Sequence, residues 1–334
     1  MILRPGVSLP VFVAATAASM LLLVQTLSSS KSFGVVVVAA AECLSDPEAI
    51  WCEEFDVAGK PNPEYWDYDL GAGGWGNIEA QTYVEENAVV GADGLLHIQV
   101  KQDPAVNYTS SRIKTENRVS FLYVRLEASI KVPDLTGGLW PAFWLLGVNY
   151  EEIGWPMCGE IDIAEWGSAN ATLENRLPFT ASSALHWEDD GDDEDDGGHK
   201  FDTEYIVVAD NLNQDFHTYA VDWTPTSISF YLDDVEIFTK DIIGFEEFHK
   251  PFFLLLNVAV GGHYTGIYAP TSPGGVMSVD WIRAYPLVAE SSVVVEPLPS
   301  SSAGGKSSLW SFSPLLSSLS IGILGLGLWT FGMV

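Results

Sequence analysis

Between its two ends, the chain spaces its apolar residues as strands do rather than as helices do. Short segments rich in β-branched and aromatic residues cover 95–100, 121–132, 142–147, 216–223, 227–232, 252–260 and 276–285. Turn residues punctuate them: Gly91-Ala92-Asp93-Gly94, Pro133-Asp134, Asp233-Asp234 and Gly261-Gly262. Over 119–130 the pattern alternates in places, with Phe121, Tyr123, Arg125 and Glu127 on one parity, which predicts a strand with one wet face. Residues 42 to about 290 hold no linker, no internal repeat and no long helical period. Many strands with turn signals and few helices predict one all-β domain, an antiparallel sandwich.

Two apolar stretches fall outside this pattern. Arg4 precedes an apolar run over 11–24, and a second run over 33–41 ends in Ala39-Ala40-Ala41. This predicts a secretory signal over 1–41, with an uncleaved signal anchor as the alternative. At the other end, 291–308 is a Ser-rich polar linker and 309–334 a hydrophobic tail. Small residues at 302–304, a polar spacer and that tail form the pattern of a GPI-anchor signal. The tail is also long enough to span a bilayer as a helix. No basic stop-transfer cluster accompanies it, which favours the lipid anchor. Both readings predict an exported, membrane-tethered protein of the cell surface, with 42–290 as its folded domain.

Composition narrows the classes. At 47% hydrophobic and 12% aromatic, with 12 Trp, the 334 residues have ample apolar area to bury, which excludes a disordered or collagen-like chain. Fifteen Lys and Arg stand against 45 Asp and Glu, a formal charge of -30. Such a surface repels phosphate backbones, so nucleic acid is excluded as a partner. Three cysteines do not have zinc-ribbon spacing. Cys43 and Cys52 are placed to close a short loop in an oxidising compartment, leaving Cys158 as a small buried residue. The sequons at Asn107 and Asn170 fit a secretory route and a glycoprotein. The block Glu188–Asp196 reads as a solvated acidic loop, with loose Ca²⁺ binding as the weaker alternative.

The chemistry concentrates in Trp155-Pro156-Met157-Cys158-Gly159-Glu160-Ile161-Asp162-Ile163-Ala164-Glu165-Trp166-Gly167. In a strand, Glu160 and Asp162 share one face while Ile161 and Ile163 take the other. Glu165 then has the wrong parity, and one extra residue, a β-bulge near Ile163-Ala164, returns it to the face of the other two. Three adjacent acids raise one another's pKa, a cost that structure alone gives no reason to accept. Glycoside hydrolysis gives one. A retaining mechanism needs a carboxylate nucleophile and a protonated carboxyl group about 5–5.5 Å apart. Four strand steps separate the two Glu Cα atoms by about 13 Å at ~3.3 Å per residue, and inward lean of both side chains closes most of that. Asp162, between them, would hydrogen-bond the nucleophile and keep the acid protonated. Trp offers flat area for sugar faces, and Trp140, Trp155 and Trp166 are the expected platforms. His186 is within reach of the acid or a sugar hydroxyl.

With these residues in place, the chain resembles glycoside hydrolase family 16, in the bulged-motif branch that contains laminarinases (endo-β-1,3-glucanases). The resemblance runs over nearly all of 50–287. It rests on the GEIDIAE core and on Glu54-Phe55-Asp56, Asn77-Ile78-Glu79, Ser111-Arg112-Ile113-Lys114-Thr115 and the GLWPAFWLLG tract at 138–147. It rests also on the tracts at 217–223, 256–262 and 279–285. The resemblance implies a β-jelly-roll sandwich of two antiparallel sheets with an open substrate cleft on the concave face. It implies Glu160 as nucleophile, Asp162 as its modulator and Glu165 as acid/base, with no cofactor for catalysis. It places Asn77, Glu79, Arg112, Trp140, Trp144 and His186 along the sugar subsites. A structural Ca²⁺ is implied at Glu54, Gly94 and Asp280. The acidic insertion after His186 departs from the family pattern, on what would be the leaving-group side of the cleft. The expected function is retaining endo-hydrolysis of β-1,3-glucan by a monomer. A cell-wall glucan transglycosylase and a β-glucan-binding receptor are the alternatives, with galactans or mixed-linkage glucans as other substrates.

Overall fold

Alternation of side chains builds two sheets that share one core. In Leu96–Asp103, Leu96, Ile98 and Val100 point inward while the residues between them stay partly wet. The computed structural model describes Cys43 and residues 45–188, 199–272 and 274–298. The expected leader, nearly all of the acidic block and the hydrophobic tail lie outside the described residues. Among the described residues, no helix is long and apolar enough to cross a membrane.

One sheet has ten strands. Its main path runs Val235–Asp241, Ser227–Leu232, His217–Trp223, Val124–Lys131, Gly275–Pro286, Leu96–Asp103, Asn107–Ser110 and Gln81–Tyr83. Trp51–Glu53 and Ala88–Val90 attach to this path. The other sheet has nine strands and carries the acids. Seven of them run in the order His199–Val207, Thr180–Glu188, Glu160–Glu165, Leu139–Gly147, Phe252–Val260, Arg112–Lys114 and Asp67–Asp69, while Val119–Leu122 pairs with Phe252–Val260 and Ser292–Val295 with Val119–Leu122 off this path. Pairing is antiparallel throughout except between Gln81–Tyr83 and Asn107–Ser110. The all-β jelly-roll sandwich expected from the sequence is the fold.

The second sheet is covered on both faces at its centre. Phe252, Leu254, Leu256, Val258 and Val260 enter the main core, while Phe253 and Leu255 join Ala142, Trp144 and Leu146 on the opposite face. This explains the nearly unbroken apolar run FFLLLNVAV. Asn257 is the polar exception, and it lies on the second face.

Two expectations need correction. The segment 119–130 is not one strand. Tyr123 has φ 52, in the left-handed region, and the chain changes sheets there. Val119–Leu122 pairs with Phe252–Val260, whereas Val124–Lys131 pairs with His217–Trp223 and Gly275–Pro286. Phe121 is therefore fully buried while Arg125 and Glu127, on the same parity, remain partly wet. The folded domain also extends past 290, because Ser292–Val295 pairs with Val119–Leu122 instead of opening a linker.

Cys43 and Cys52 are disulfide-bonded with Cα atoms 5.9 Å apart, and Cys158 is free and buried. The bond ties the start of the described chain to Trp51–Glu53. Replacing both cysteines by serine is expected to lower stability by about 2–3 kcal/mol, the loop-closure cost of so short a ring. Urea unfolding measures it, and an unchanged midpoint would show the loop to be held by packing alone.

Candidate active site

Parity and one bulge assemble the site. In Glu160–Glu165, Ile161 and Ile163 are fully buried in the main core, so Glu160 and Asp162 face the other way. Opposite Thr180–Glu188, Glu160 pairs with His186 and Asp162 with Ala184, but Glu165 pairs with Ser182. Three residues on the acid strand thus oppose two on its neighbour. The same shift appears against Leu139–Gly147, where Asp162 opposes Trp144 and Ala164 opposes Phe143. The bulge lies where the parity of Glu165 demands it. All three acids line one cleft of about 690 Å³.

Crowding these groups perturbs them. Burial, and then the charge of Asp162, lifts the Glu160 carboxyl to about 8. His186, Arg112 and a hydrogen bond from Trp155 draw it back toward the charged form. Asp162 is also raised, by burial, with an opposing hydrogen bond from Glu160. Glu165 is held well above the usual carboxylate range by burial and by Asp162. The three cannot all be ionised near neutrality, so the cleft keeps a proton to donate.

Trp140, Ala142, Trp144 and Leu146 share one parity of Leu139–Gly147, and all line the cleft. Trp140 donates from Nε1 to Glu165 Oε1 at 2.9 Å, and its ring stacks on Tyr264 at 4.8 Å. Trp144 donates to Asn257 Oδ1 at 2.8 Å. Arg112 is paired with Asp69 at 2.9 Å, and its guanidinium lies 4.6 Å from the Trp144 ring centre and 5.2 Å from that of Trp75. Glu79 accepts from Asn77 at 3.1 Å and from Gln81 at 2.6 Å. Trp155 is exposed over the cleft beside His186 and His199.

Trp166 is not a platform. It is fully buried, edge-on to Tyr219 at 4.8 Å, because the residue after Glu165 alternates into the core. His186 lines the cleft, and its Nε2 lies 3.1 Å from Asp162 Oδ2. Glu188 and His199, the described residues that flank the rest of the acidic insertion, lie toward the Glu160 end of the acid strand rather than the Glu165 end. Sequence reasoning missed Trp75, His199, Phe201, Tyr205 and Tyr264, all of which line the cleft. Trp75 and Tyr264 sit in the Gly-rich stretches GAGGWGN and GGHYTG, a signal that was available. No comparable signal marked His199.

The expected calcium set lies away from the cleft, along Gly275–Pro286. Both oxygens of Glu54 are taken by Arg283, Nε to Oε1 at 2.9 Å and Nη2 to Oε2 at 3.1 Å. Ser45 also donates to Oε1, at 2.6 Å. Asp280 sits at a register shift of its strand, and Gly94 in the turn before Leu96–Asp103. A guanidinium already neutralises the carboxylate that a cation would need, so these residues as arranged do not fit Ca²⁺.

The Trp140–Glu165 hydrogen bond yields a test. Trp140→Phe keeps a ring against Tyr264 but removes the donor. We expect kcat/KM on polysaccharide to fall about 10-fold, the worth of one hydrogen bond to a charged group. Because the indole N–H favours ionised Glu165, its loss is expected to move the alkaline limb of the pH profile upward. An unmoved limb would show that Trp140 does not hold the acid.

Known proteins match this arrangement. The model of the glycosyl hydrolases family 16 matches residues 77–283, more than half of the chain. A β-glucanase of Rhodothermus marinus is 34% identical over 258 residues, 71% of this chain and 85% of that protein. A glucan endo-1,3-beta-glucosidase of Cryptopygus antarcticus is 31% identical, over 65% of this chain and 81% of its own. The X-ray structure of the laminarinase from Rhodothermus marinus superposes with a TM-score of 0.62 at 33% identity, covering 72% of this chain and 98% of that one. Sequence and fold agree across the same span that carries the acid strand. This chain belongs to family 16 of the glycosyl hydrolases and is a glycoside hydrolase.

Proposed function

We propose that the protein is a retaining endo-hydrolase of β-1,3-glucan. The observation that carries this reading is the bulge, which sets Glu160, Asp162 and Glu165 on one cleft-facing row of a strand otherwise committed to the core. In the first displacement, a Glu160 oxygen attacks the anomeric carbon and Glu165 gives its proton to the departing glycosidic oxygen. In the second, Glu165 takes a proton from water, whose oxygen displaces Glu160 from the same carbon. Asp162 hydrogen-bonds Glu160, and its charge supports the proton on Glu165. Relatives named β-glucanase, glucan endo-1,3-beta-glucosidase and laminarinase support the substrate. The Cys43–Cys52 bond supports an exported enzyme, since disulfides persist in oxidising compartments.

The test is digestion of a soluble β-1,3-glucan by the purified protein, with products sized and their first-formed anomer read by NMR. Shorter oligosaccharides that appear first as the β anomer are expected. An α product would sink the double displacement, chains longer than the substrate would move the reading to transglycosylation, and binding without turnover would make the protein a receptor.

A further inference from the structure

The geometry points to a sugar subsite on the outermost strand of the acid-bearing sheet, where Phe201 and Tyr205 clasp a unit of the glucan chain beyond the scissile bond. The inference rests on the proposed function and deepens it, because it makes these two side chains specificity determinants for long substrates.

Strand register fixes the course of the substrate. The two catalytic acids flank the glycosidic bond, so the chain passes between the Glu160 row and the Glu165 row. On the neighbouring strand these rows continue as His186 and Ser182, with Ala184 in line with Asp162. On His199–Val207 they continue as Phe201 and Tyr205, with Thr203 between them. A glucan that crosses the acids and keeps its course therefore runs over Thr203 with an aromatic ring on each side. Two strand spacings put that point about 10 Å from the acid strand. The Cα atoms of the two aromatic residues, four positions apart, stand ~13 Å from each other at ~3.3 Å per residue, which leaves room for a sugar ring between the side chains. Phe201, Thr203 and Tyr205 all line the cleft.

Folding gives little reason for these side chains. His199–Val207 ends the main path of its sheet, and Phe201 is 59% and Tyr205 40% exposed. Exposed aromatic residues on a sheet edge invite pairing with other chains. The strand is nonetheless held firmly. It pairs along all nine residues with Thr180–Glu188, and from its other face Asp202 forms an ion pair with Lys240 of the opposite sheet. Phe201 stacks on His186 at 5.8 Å and on His199 at 5.6 Å, and Trp155 packs on the same two imidazoles. Trp155, the two histidines and Phe201 thus form one aromatic flank on the Glu160 side. On the Glu165 side, the Tyr205 hydroxyl is hydrogen-bonded by Asn170. Rings fixed before the substrate arrives lose little freedom on binding, and each offers flat apolar area to a sugar face.

The test is a length series of β-1,3-gluco-oligosaccharides, cleaved by wild type, Phe201→Ala, Phe201→Tyr, Tyr205→Ala and Val207→Ala. Val207 shares the strand face and is 47% exposed, but it does not line the cleft. On the longest members, Phe201→Ala is expected to lower kcat/KM about 5–10-fold, the order of one aromatic contact. The loss should appear in KM with kcat unchanged, because a contact this far from the reacting atoms is made equally in ground and transition states. It should grow with chain length and level off once the chain spans the outer strand. Tyr205→Ala should repeat the pattern, Phe201→Tyr should recover it, and Val207→Ala should behave as wild type. No loss at any length would overturn the subsite. An equal loss at every length, or one confined to kcat, would make Phe201 a prop for His186 and overturn it too. A length-dependent loss of the same size in Val207→Ala would do the same, by tracing the effect to the strand as a whole. Wild-type inactivity on the whole series would refute the proposed substrate, and the subsite for this glucan with it. Wild-type turnover matched by Phe201→Ala would refute the subsite alone.

Discussion

Glu160→Gln is expected to remove glucan hydrolysis almost entirely, by on the order of 10⁴-fold or more, as loss of an attacking group does. The amide has the shape of the carboxylate and can occupy the same place beside Asp162, but it has no charge to attack the anomeric carbon. Folding is not threatened. Burial already lifts the Glu160 carboxyl to about 8, so a neutral side chain suits the site at least as well. A cleaner assignment comes from Glu160→Gly with added azide. The small anion would attack once, from the nucleophile's side, and leave an α-glycosyl azide. Residual hydrolysis within tenfold of wild type would place the nucleophile elsewhere.

Glu165→Gln is expected to cost about 10²–10⁴-fold on polysaccharide, the usual worth of a positioned general acid. The loss should shrink on substrates with aryl leaving groups, which depart without a proton. Stability should move in the opposite direction. In the folded protein Glu165 is raised well above its ordinary 4.5 by burial and by Asp162. A carboxyl whose folded pKa is raised contributes its full stability only below the unfolded value, and that stability is lost as pH climbs through the folded value. At pH 4 wild type and variant should melt together. At pH 8 the variant should melt about 2–4 °C higher, the shift that ~1 kcal/mol produces in a domain of this size. Equal melting at both pH values would mean that Glu165 is not strained by its neighbours. Together the two readouts describe a site that spends stability on reactivity.

Much of the site was legible because it obeys a local rule. Ile161 and Ile163 announce which face of the acid strand is the core, and the misplaced parity of Glu165 announces the bulge. Trp140 and Trp144 share a face for the same reason. Trp166 shows the rule neglected: it follows Glu165 directly, so alternation sends it inward to Tyr219, and only its aromatic identity suggested a sugar. Tyr123 shows the rule's limit, since one residue at positive φ resets the parity and carries the chain into the other sheet.

Fold class, the acid row and the shared face of Trp140 and Trp144 are readable from the residues alone, because these follow from a period of two within single strands. Which distant groups meet depends instead on how the sheets pack and pair. His199 reaches His186 because two strands joined through the acidic block pair residue by residue. Arg283 closes on Glu54, 229 positions away, where a cation had been expected. Ser292–Val295 adds to Val119–Leu122 instead of leaving as a linker. Each depends on register between segments far apart in the chain, and register is set by the packing of whole sheets rather than by any one segment's pattern.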